Sequence, residues 1–284
     1  MVYYLYMRKL KAMYHVFYRS LVSLKYYNEV VRTNLKFSLK YFFLLVVIIS
    51  LLTAGVLSAR NTPTIQKEVT SNLTQAKSLY PEDLVVTAKN NSLSINKPEP
   101  YIIKSPETFK DFPKNFLVFD SKGTLDSIKE NETFILINST NILISDPSTE
   151  KVEVYPIKNL PDGQLTKTDF DNLIAKLQGF AKYIPAFLFV AVLLGLIIYN
   201  VLFRLVYLLI VAVILMLAGK TKKLSLRYVQ YYKIAIHAIT IPLLVEFLLT
   251  AAGVNIGIPL WFFALNTVFG LLAVSKISND VVTP

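Results

Sequence analysis

The sequence predicts an all-α membrane bundle of four spans, with five as the alternative, carrying one small inserted α+β domain. Three observations predict it. Residues 41–58, 183–219, 234–254 and 258–275 are almost pure Leu, Ile, Val, Phe and Ala, and about 20 such residues make a helix long enough to cross a bilayer. Polarity rises only in residues 59–182, where short β-branched and aromatic runs alternate with turn residues. The basic surplus behind the net charge of +11 lies beside the apolar runs and not in the polar stretch. The whole chain is 54% hydrophobic, above the roughly 45–50% usual for soluble domains, and the excess needs lipid.

Residues 1–40 hold Arg8, Lys9, Lys11, Arg19, Lys25, Arg32, Lys36 and Lys40 against the single acid Glu29. Over residues 8–36, Leu10, Met13, Tyr14, Phe17, Leu21 and Leu24 recur at helical spacing with basic residues between them, as an amphipathic helix requires. Two placements fit this segment. It lies in the cytoplasmic interface with Tyr3, Tyr4, Tyr6, Tyr14, Tyr18, Tyr26 and Tyr27 as interfacial rings, or it packs on the other spans as a solvated helix. The first span follows at residues 41–58 and reads as an uncleaved anchor, because the preceding 40 residues exceed the basic n-region of an export signal.

Residues 59–182 form the predicted extracytoplasmic α+β domain. Strands are expected at 84–87, 101–103, 116–119, 133–137, 142–144 and 152–155. Asp120-Ser121-Lys122-Gly123, Asn138-Ser139-Thr140-Asn141 and Asp146-Pro147-Ser148 supply turn chemistry between them. These strands predict a small antiparallel sheet. Thr168 before the amphipathic run Asp169–Leu177 predicts a capped helix leading back to the membrane.

Residues 183–219 cross once or twice. Two crossings would leave Lys220, Lys222, Lys223, Arg227 and Lys233 outside with no acid among them, against the positive-inside rule. A single long, bent second span keeps them in a basic cytoplasmic loop at 220–233. The third span is then 234–253 and the fourth 258–275, with an uncharged outer turn from Gly253 to Pro259, Trp261 near that interface and the tail 276–284 inside. Both termini are cytoplasmic in this topology.

Several function classes find no support. Residues 61–182 hold 14 Lys and 16 Asp/Glu, so nothing basic stands clear of the membrane to hold nucleic acid. The basic flanks point instead to the lipid bilayer and its anionic head groups. Cysteine is absent, which removes disulfides, thiolate nucleophiles and thiolate metal sites. No phosphate loop, dinucleotide fingerprint, zinc-protease motif or calcium loop occurs, and the two histidines, His15 and His237, lie far apart. The expectation is therefore a non-enzymatic protein with no catalytic residue, no cofactor and no metal. Asp120, Asp126, Glu130 and Glu132 read as solvated carboxylates in or near turns, and Asn72, Asn90, Asn131 and Asn138 begin glycosylation-type sequons.

Three ionisable residues fall within predicted spans: Arg204, His237 and Glu246. Such residues are costly in lipid and occur paired or facing a cavity. Counted from the cytoplasmic helix ends, Arg204 stands roughly 22 Å and Glu246 roughly 18 Å up the bundle at 1.5 Å per residue, so the two are expected to pair. Two functions fit. The first is a binding protein whose outer domain takes a ligand or partner and whose bundle associates with another membrane protein. The second is a transporter accessory subunit, or a small transporter, using Arg204 and Glu246.

Phe17-Tyr18-Arg19-Ser20-Leu21-Val22-Ser23-Leu24-Lys25-Tyr26-Tyr27-Asn28-Glu29-Val30 ahead of a long apolar span resembles the bacterial membrane family called domain of unknown function 1189. That family's pattern is F-x-x-S-L-x-S-P-K-F-Y-x-x-V, and Leu24 stands here at its proline. The likeness continues through Pro100–Ile103, through Leu117–Gly123, where the family tends to have D-T-T-G, and from Leu224-Ser225 to His237–Pro242. The last stretch is also similar to the polar loop and proline-containing helix of the wider Yip1-like group. The resemblance implies a multi-pass protein with an extracytoplasmic insert and implies no activity.

Overall fold

A computed structural model describes residues 2–106, 113–146, 149, 151–158 and 160–278, with side chains in the first helix from residue 12 onward. The turn residues Pro147 and Ser148, the rings of Tyr3, Tyr4 and Tyr6, and the tail beyond Ser278 lie outside the described residues. In chain order the helices are α1 (Val2–Val22), α2 (Tyr27–Val30), α3 (Leu35–Leu79), α4 (Leu125–Glu130), α5 (Lys167–Phe180), α6 (Ile184–Tyr199), α7 (Leu205–Thr221), α8 (Tyr228–Ala238), α9 (Thr240–Ala252) and α10 (Trp261–Ser275). The strands are β1 (Val86–Lys89), β2 (Ser92–Ile95), β3 (Tyr101–Lys104), β4 (Asn115–Phe119), β5 (Thr133–Ile137), β6 (Asn141–Ser145), β7 (Val152–Pro156) and β8 (Gly163–Leu165). The chain forms two compact units, Met1–Pro63 with Pro185–Pro284, and Thr64–Ile184.

The first unit is helical. Its core comes from helical stripes: Phe42, Leu45, Val46 and Ile49 on α3, then Leu208, Val211, Ala212 and Leu215 on α7, with Ile234, Ala235, Ala238, Leu243, Ala273 and Val274 filling between them. Each stripe follows the i, i+3, i+4, i+7 spacing of one helix face. The opposite faces are apolar too. Phe43, Leu44, Val47, Ile48 and Leu51 on α3, and Val206, Leu209, Ile210 and Val213 on α7, are exposed. Among the described residues, three helical stretches are long and apolar enough to cross a membrane, Leu35–Leu79, Lys167–Thr221 and Tyr228–Ala252, and Trp261–Ser275 is a shorter apolar helix.

Close approach at α7 depends on Gly219. A β-carbon built there would meet the Tyr231 hydroxyl at 2.0 Å and its ring at 2.6 Å, so α8 can seat that aromatic ring only where α7 lacks a side chain. Between α8 and α9 the helix breaks at Ile239. Pro242, one turn on, has no N–H to return to the carbonyl of Ala238.

Several expected boundaries move. The helix expected over 8–36 is interrupted, because Ser23 is extended (φ −131°, ψ 100°) and because Asn34 starts a new helix by accepting Lys36 N at 2.9 Å. The helix that holds the expected first span, 41–58, runs from Leu35 to Leu79 with Pro63 inside it, and its polar part is carried by helix formers such as Gln66, Lys67, Glu68, Gln75, Ala76 and Lys77. The third helical stretch starts at Tyr228, six residues before the expected 234. Lys233 is thereby taken out of the basic loop and into α8, where it is buried.

The second unit holds two sheets where one antiparallel sheet was expected. One has the order β2-β1-β8 and the other β3-β4-β5-β6-β7. Within the larger sheet, β4 and β5 run parallel. Parallel neighbours need a crossover of about a dozen residues, and α4 supplies it, laying Ile128 on Leu136 and Leu143. Asp120-Ser121-Lys122-Gly123 turns the chain into α4 through Gly123 N donating to Asp120 O at 2.9 Å. Asn138 closes the β5–β6 hairpin, its Oδ1 accepting the backbone N–H of Thr140 and Asn141 at 3.0 and 2.7 Å.

The cap of α5 is Thr166 and not Thr168. Thr166 Oγ1 accepts Asp169 N while the Asp169 carboxylate accepts Thr166 N, a reciprocal capping box. Hydrogen bonds from the Thr166 hydroxyl and backbone hold the Asp169 carboxyl below the ordinary carboxylate range.

Candidate functional site

The site begins with a defect in a helix. Between α6 and α7 the residues Asn200–Arg204 form a single π-helical turn. Such a turn adds a residue to the helical repeat, shifts the phase of everything after it by roughly 100°, and recurs at functional positions. Leu202 and Phe203 remain outside at 59% and 63% exposure, while Asn200 and Arg204, four apart on the inner face, are buried. Asn200 fixes the turn by donating Nδ2 to Leu196 O at 2.7 Å.

Arg204 Nη2 donates to Glu246 Oε2 on α9 at 2.5 Å. The guanidinium carbon lies 3.6 Å from the centre of the Phe262 ring and 5.7 Å from that of Tyr199, an arrangement that stabilises a desolvated cation by about 2 kcal/mol. Two donors are left over, since Arg204 Nε and Nη1 are buried without a hydrogen-bond partner. The pair is lopsided: the Arg204 side chain is 4% exposed and that of Glu246 38%. Around it opens a cleft of about 330 Å³ lined by Tyr199, Phe203, Arg204, Tyr207, Glu246, Leu260, Trp261, Phe262 and Phe263. That volume is within the range of small-ligand sites.

The chain walls this cleft by a tight turn. Gly253, in the left-handed conformation at φ +75°, ends α9. Arg60 donates to the last carbonyls of that helix, Thr250 O at 3.3 Å and Ala251 O at 3.0 Å, which places a cation at the negative end of the helix dipole. Leu260, also left-handed at φ +59°, then starts α10 and delivers three consecutive aromatic residues. Tyr207 is held from behind by Asn266 Nδ2 at 3.4 Å.

His237 is a separate matter. It does not line the cleft; it is fully buried between Ser20 Oγ, 3.4 Å from Nδ1, and Ser38 Oγ, 3.2 Å from Nε2. Its ring stacks on Tyr41 at 4.7 Å and meets Tyr26 edge-on at 5.9 Å. Tyr41 in turn shares a 2.7 Å hydrogen bond with Thr240, which donates to His237 O. One turn earlier, Lys233 Nζ donates to Val31 O and Thr33 O, both at 2.6 Å. The carbonyls that end the α2 region thus take up this buried cation. Ser20, Tyr26, Tyr27 and Val30 of the N-terminal pattern are all buried in this node, so the pattern marks the docking of the amino-terminal segment onto α8.

Of the three ionisable residues nominated from the sequence, the structure therefore brings Arg204 and Glu246 together and keeps His237 apart. Sequence reasoning passed over Tyr199, Phe203, Tyr207, Phe262 and Phe263, which look like ordinary span residues. The available signal was the polar Asn200 and Asn266 inside apolar runs. Asp120, Asp126, Glu130 and Glu132 do not gather, and among the described residues no group of three or more His, Asp and Glu lies together in a way that could hold a metal ion.

A family model described as "Protein of unknown function (DUF1189)" matches residues 14–274. No curated protein and no solved structure matches the chain.

Proposed function

The chain belongs to the DUF1189 family of proteins of unknown function, and from that premise we propose that it is a multi-pass membrane protein that binds a ligand without chemically transforming it. In this reading it crosses the membrane four times, with both termini and the basic loop between α7 and α8 cytoplasmic and residues 59–182 outside. Apolar residues that stand exposed on these helices, such as Phe43 and Val47 on α3 and Val206 and Ile210 on α7, support insertion, because water would leave that surface unpaid and lipid does not. The basic segments then meet anionic head groups. The outer domain and the bundle serve to meet a further membrane protein.

The observation that carries ligand binding is the charge-paired aromatic cleft. The hollow lined by Leu93, Glu99, Phe119, Asp120 and Asn138 in the second unit measures about 10 Å³, room for about one water. The cleft around Arg204 and Glu246 is some thirty times larger by volume, 330 against 10 Å³. A photoreactive phenylalanine analogue at Phe263, which lines the cleft and is only partly exposed, irradiated in native membranes, is expected to yield a reproducible small adduct by mass spectrometry. The same analogue at Phe187, which is 74% exposed on α6, is the lipid-facing control. Identical adducts at both positions would refute a binding cleft.

A second reading, transport, is favoured by the partial exposure of Glu246 towards the cleft. Solute flux in proteoliposomes containing only this chain, abolished by Glu246→Gln, would select it over simple binding.

A further inference from the structure

We propose that the ligand of this cleft is zwitterionic, a small group bearing one ammonium and one phosphate or carboxylate. The proposal rests on the preceding reading of the cleft as a binding site and names what that site accepts.

The argument starts from charge. The lining contributes one guanidinium and one carboxylate, Arg204 and Glu246, and otherwise aromatic and aliphatic surface, so the walls are neutral overall. In such surroundings a net charge that nothing neutralises is costly. An anion alone would compete with Glu246 for the arginine and leave the carboxylate unmatched. A lone cation would do the same to the arginine. A zwitterion laid antiparallel to the pair meets both charges and adds none.

The two halves of the site are equipped differently, and each suits one end of such a ligand. Arg204 retains two donors, Nε and Nη1, that are buried and unpartnered. A buried charged donor with no acceptor requires an explanation, and an anionic oxygen is its natural partner. Phe262 covers the face of the guanidinium at 3.6 Å, so the anionic end meets the group in its plane, where the N–H bonds point. Glu246 is the open partner, with 38% of its side chain exposed. The rings of Tyr207 and Trp261 share its cleft, and aromatic faces beside a carboxylate are what an ammonium group recognises.

This chemistry has two sources, a phosphoethanolamine lipid headgroup and a water-soluble zwitterion. Trp261, the single tryptophan of the chain, lines the cleft and reports on both. The full chain in detergent would be titrated with dioleoylphosphatidylethanolamine, with water-soluble sn-glycero-3-phosphoethanolamine, with anionic dioleoylphosphatidylglycerol and with a dioleoyl trimethylammonium lipid, following Trp261 emission. A saturable change is expected with a zwitterion, at a half-saturating concentration about tenfold or more below those of the two singly charged lipids, the factor worth about 1.4 kcal/mol in affinity. Response to the lipid alone assigns a headgroup site; response to sn-glycero-3-phosphoethanolamine as well assigns a soluble zwitterion. The neutral double variant Arg204→Gln/Glu246→Gln should lose the response. The charge-exchanged variant Arg204→Glu/Glu246→Arg, which keeps both charges, should retain a measurable part of it and guards against simple misfolding. Equal or tighter response to the anionic or the cationic lipid, no saturable response to any probe, or an unchanged response in the neutral double variant would each overturn the zwitterion. The adduct at Phe263 is read independently of charge, so a cleft that binds some other ligand would still be recognised.

Discussion

Replacing Glu246 by Gln should cost more stability than replacing Arg204 by Gln, although both remove the same ion pair. The difference follows from what each substitution leaves behind. Glu246→Gln strands a guanidinium whose side chain is 4% exposed, already short of acceptors at Nε and Nη1. A buried charge left uncompensated costs about 3–5 kcal/mol. Arg204→Gln strands a carboxylate that is 38% exposed and can be solvated, which reduces the loss to about 1–2 kcal/mol once screening is allowed for. At roughly 2–4 °C per kcal/mol for a chain of this size, Glu246→Gln should lower the unfolding midpoint in detergent by on the order of 10 °C and Arg204→Gln by distinctly less. The double variant, with no stranded charge, should lie above Glu246→Gln. Thermal unfolding followed by size-exclusion of the surviving fraction measures all four proteins in one detergent. Equal losses in the two single variants would refute the asymmetry, and additive losses in the double variant would refute the pairing itself.

Gly219→Ala should destabilise by about 1–3 kcal/mol through overpacking, because its β-carbon would fall 2.0 Å from the Tyr231 hydroxyl; the double variant Gly219→Ala/Tyr231→Ala should lose less than the sum of the two single losses, and additive losses would count against that contact. Lys233→Met leaves Thr33 O without its donor and Val31 O with only Gln230 Nε2 at 3.3 Å, at about 1–3 kcal/mol for the carbonyl left unpaired, and should speed hydrogen exchange at residues 31–34; unaltered exchange there would contradict the docking role. Single cysteines at Ser225 and Ser121, in a chain without native cysteine, should label oppositely with an impermeant reagent added outside, and outside labelling of both would restore the five-span topology. Acid should loosen the first turn of α5. The Asp169 carboxyl is held below its ordinary range by the Thr166 hydroxyl, so its contribution is complete above the unfolded value and is lost as pH falls through the lower folded one. Exchange at residues 167–170 followed from pH 5 downwards tests this, and protection that stays flat would oppose it.

Much of the helical unit is legible locally. A run such as Tyr41–Ser58 carries enough apolar surface to be helical and long whatever it packs against, and the pattern from Phe17 to Val30, together with the likenesses further along the chain, points to the family whose model matches residues 14–274. Asn138–Asn141 is equally plain, since an Asn side chain that can take two successive backbone N–H groups makes its own turn. Arg204 and Glu246 stand out because ionisable groups are rare within apolar runs. What the chain cannot announce locally are the relations between distant segments. The parallel pairing of β4 with β5 depends on α4 crossing between them, and Lys233 reads as a loop cation until the carbonyls of Val31 and Thr33, some 200 residues earlier, are seen to receive it. The aromatic walls of the cleft are the clearest case. Tyr199, Tyr207 and Phe262 look like any other span residues by composition, and only the π turn at Asn200–Arg204 and the left-handed Leu260 aim them at one point. Hydropathy and turn chemistry are properties of neighbours in sequence and so can be read from it; the phase of a helix after a bulge, and the partner of a buried charge, are fixed by packing and exist only once the chain has folded.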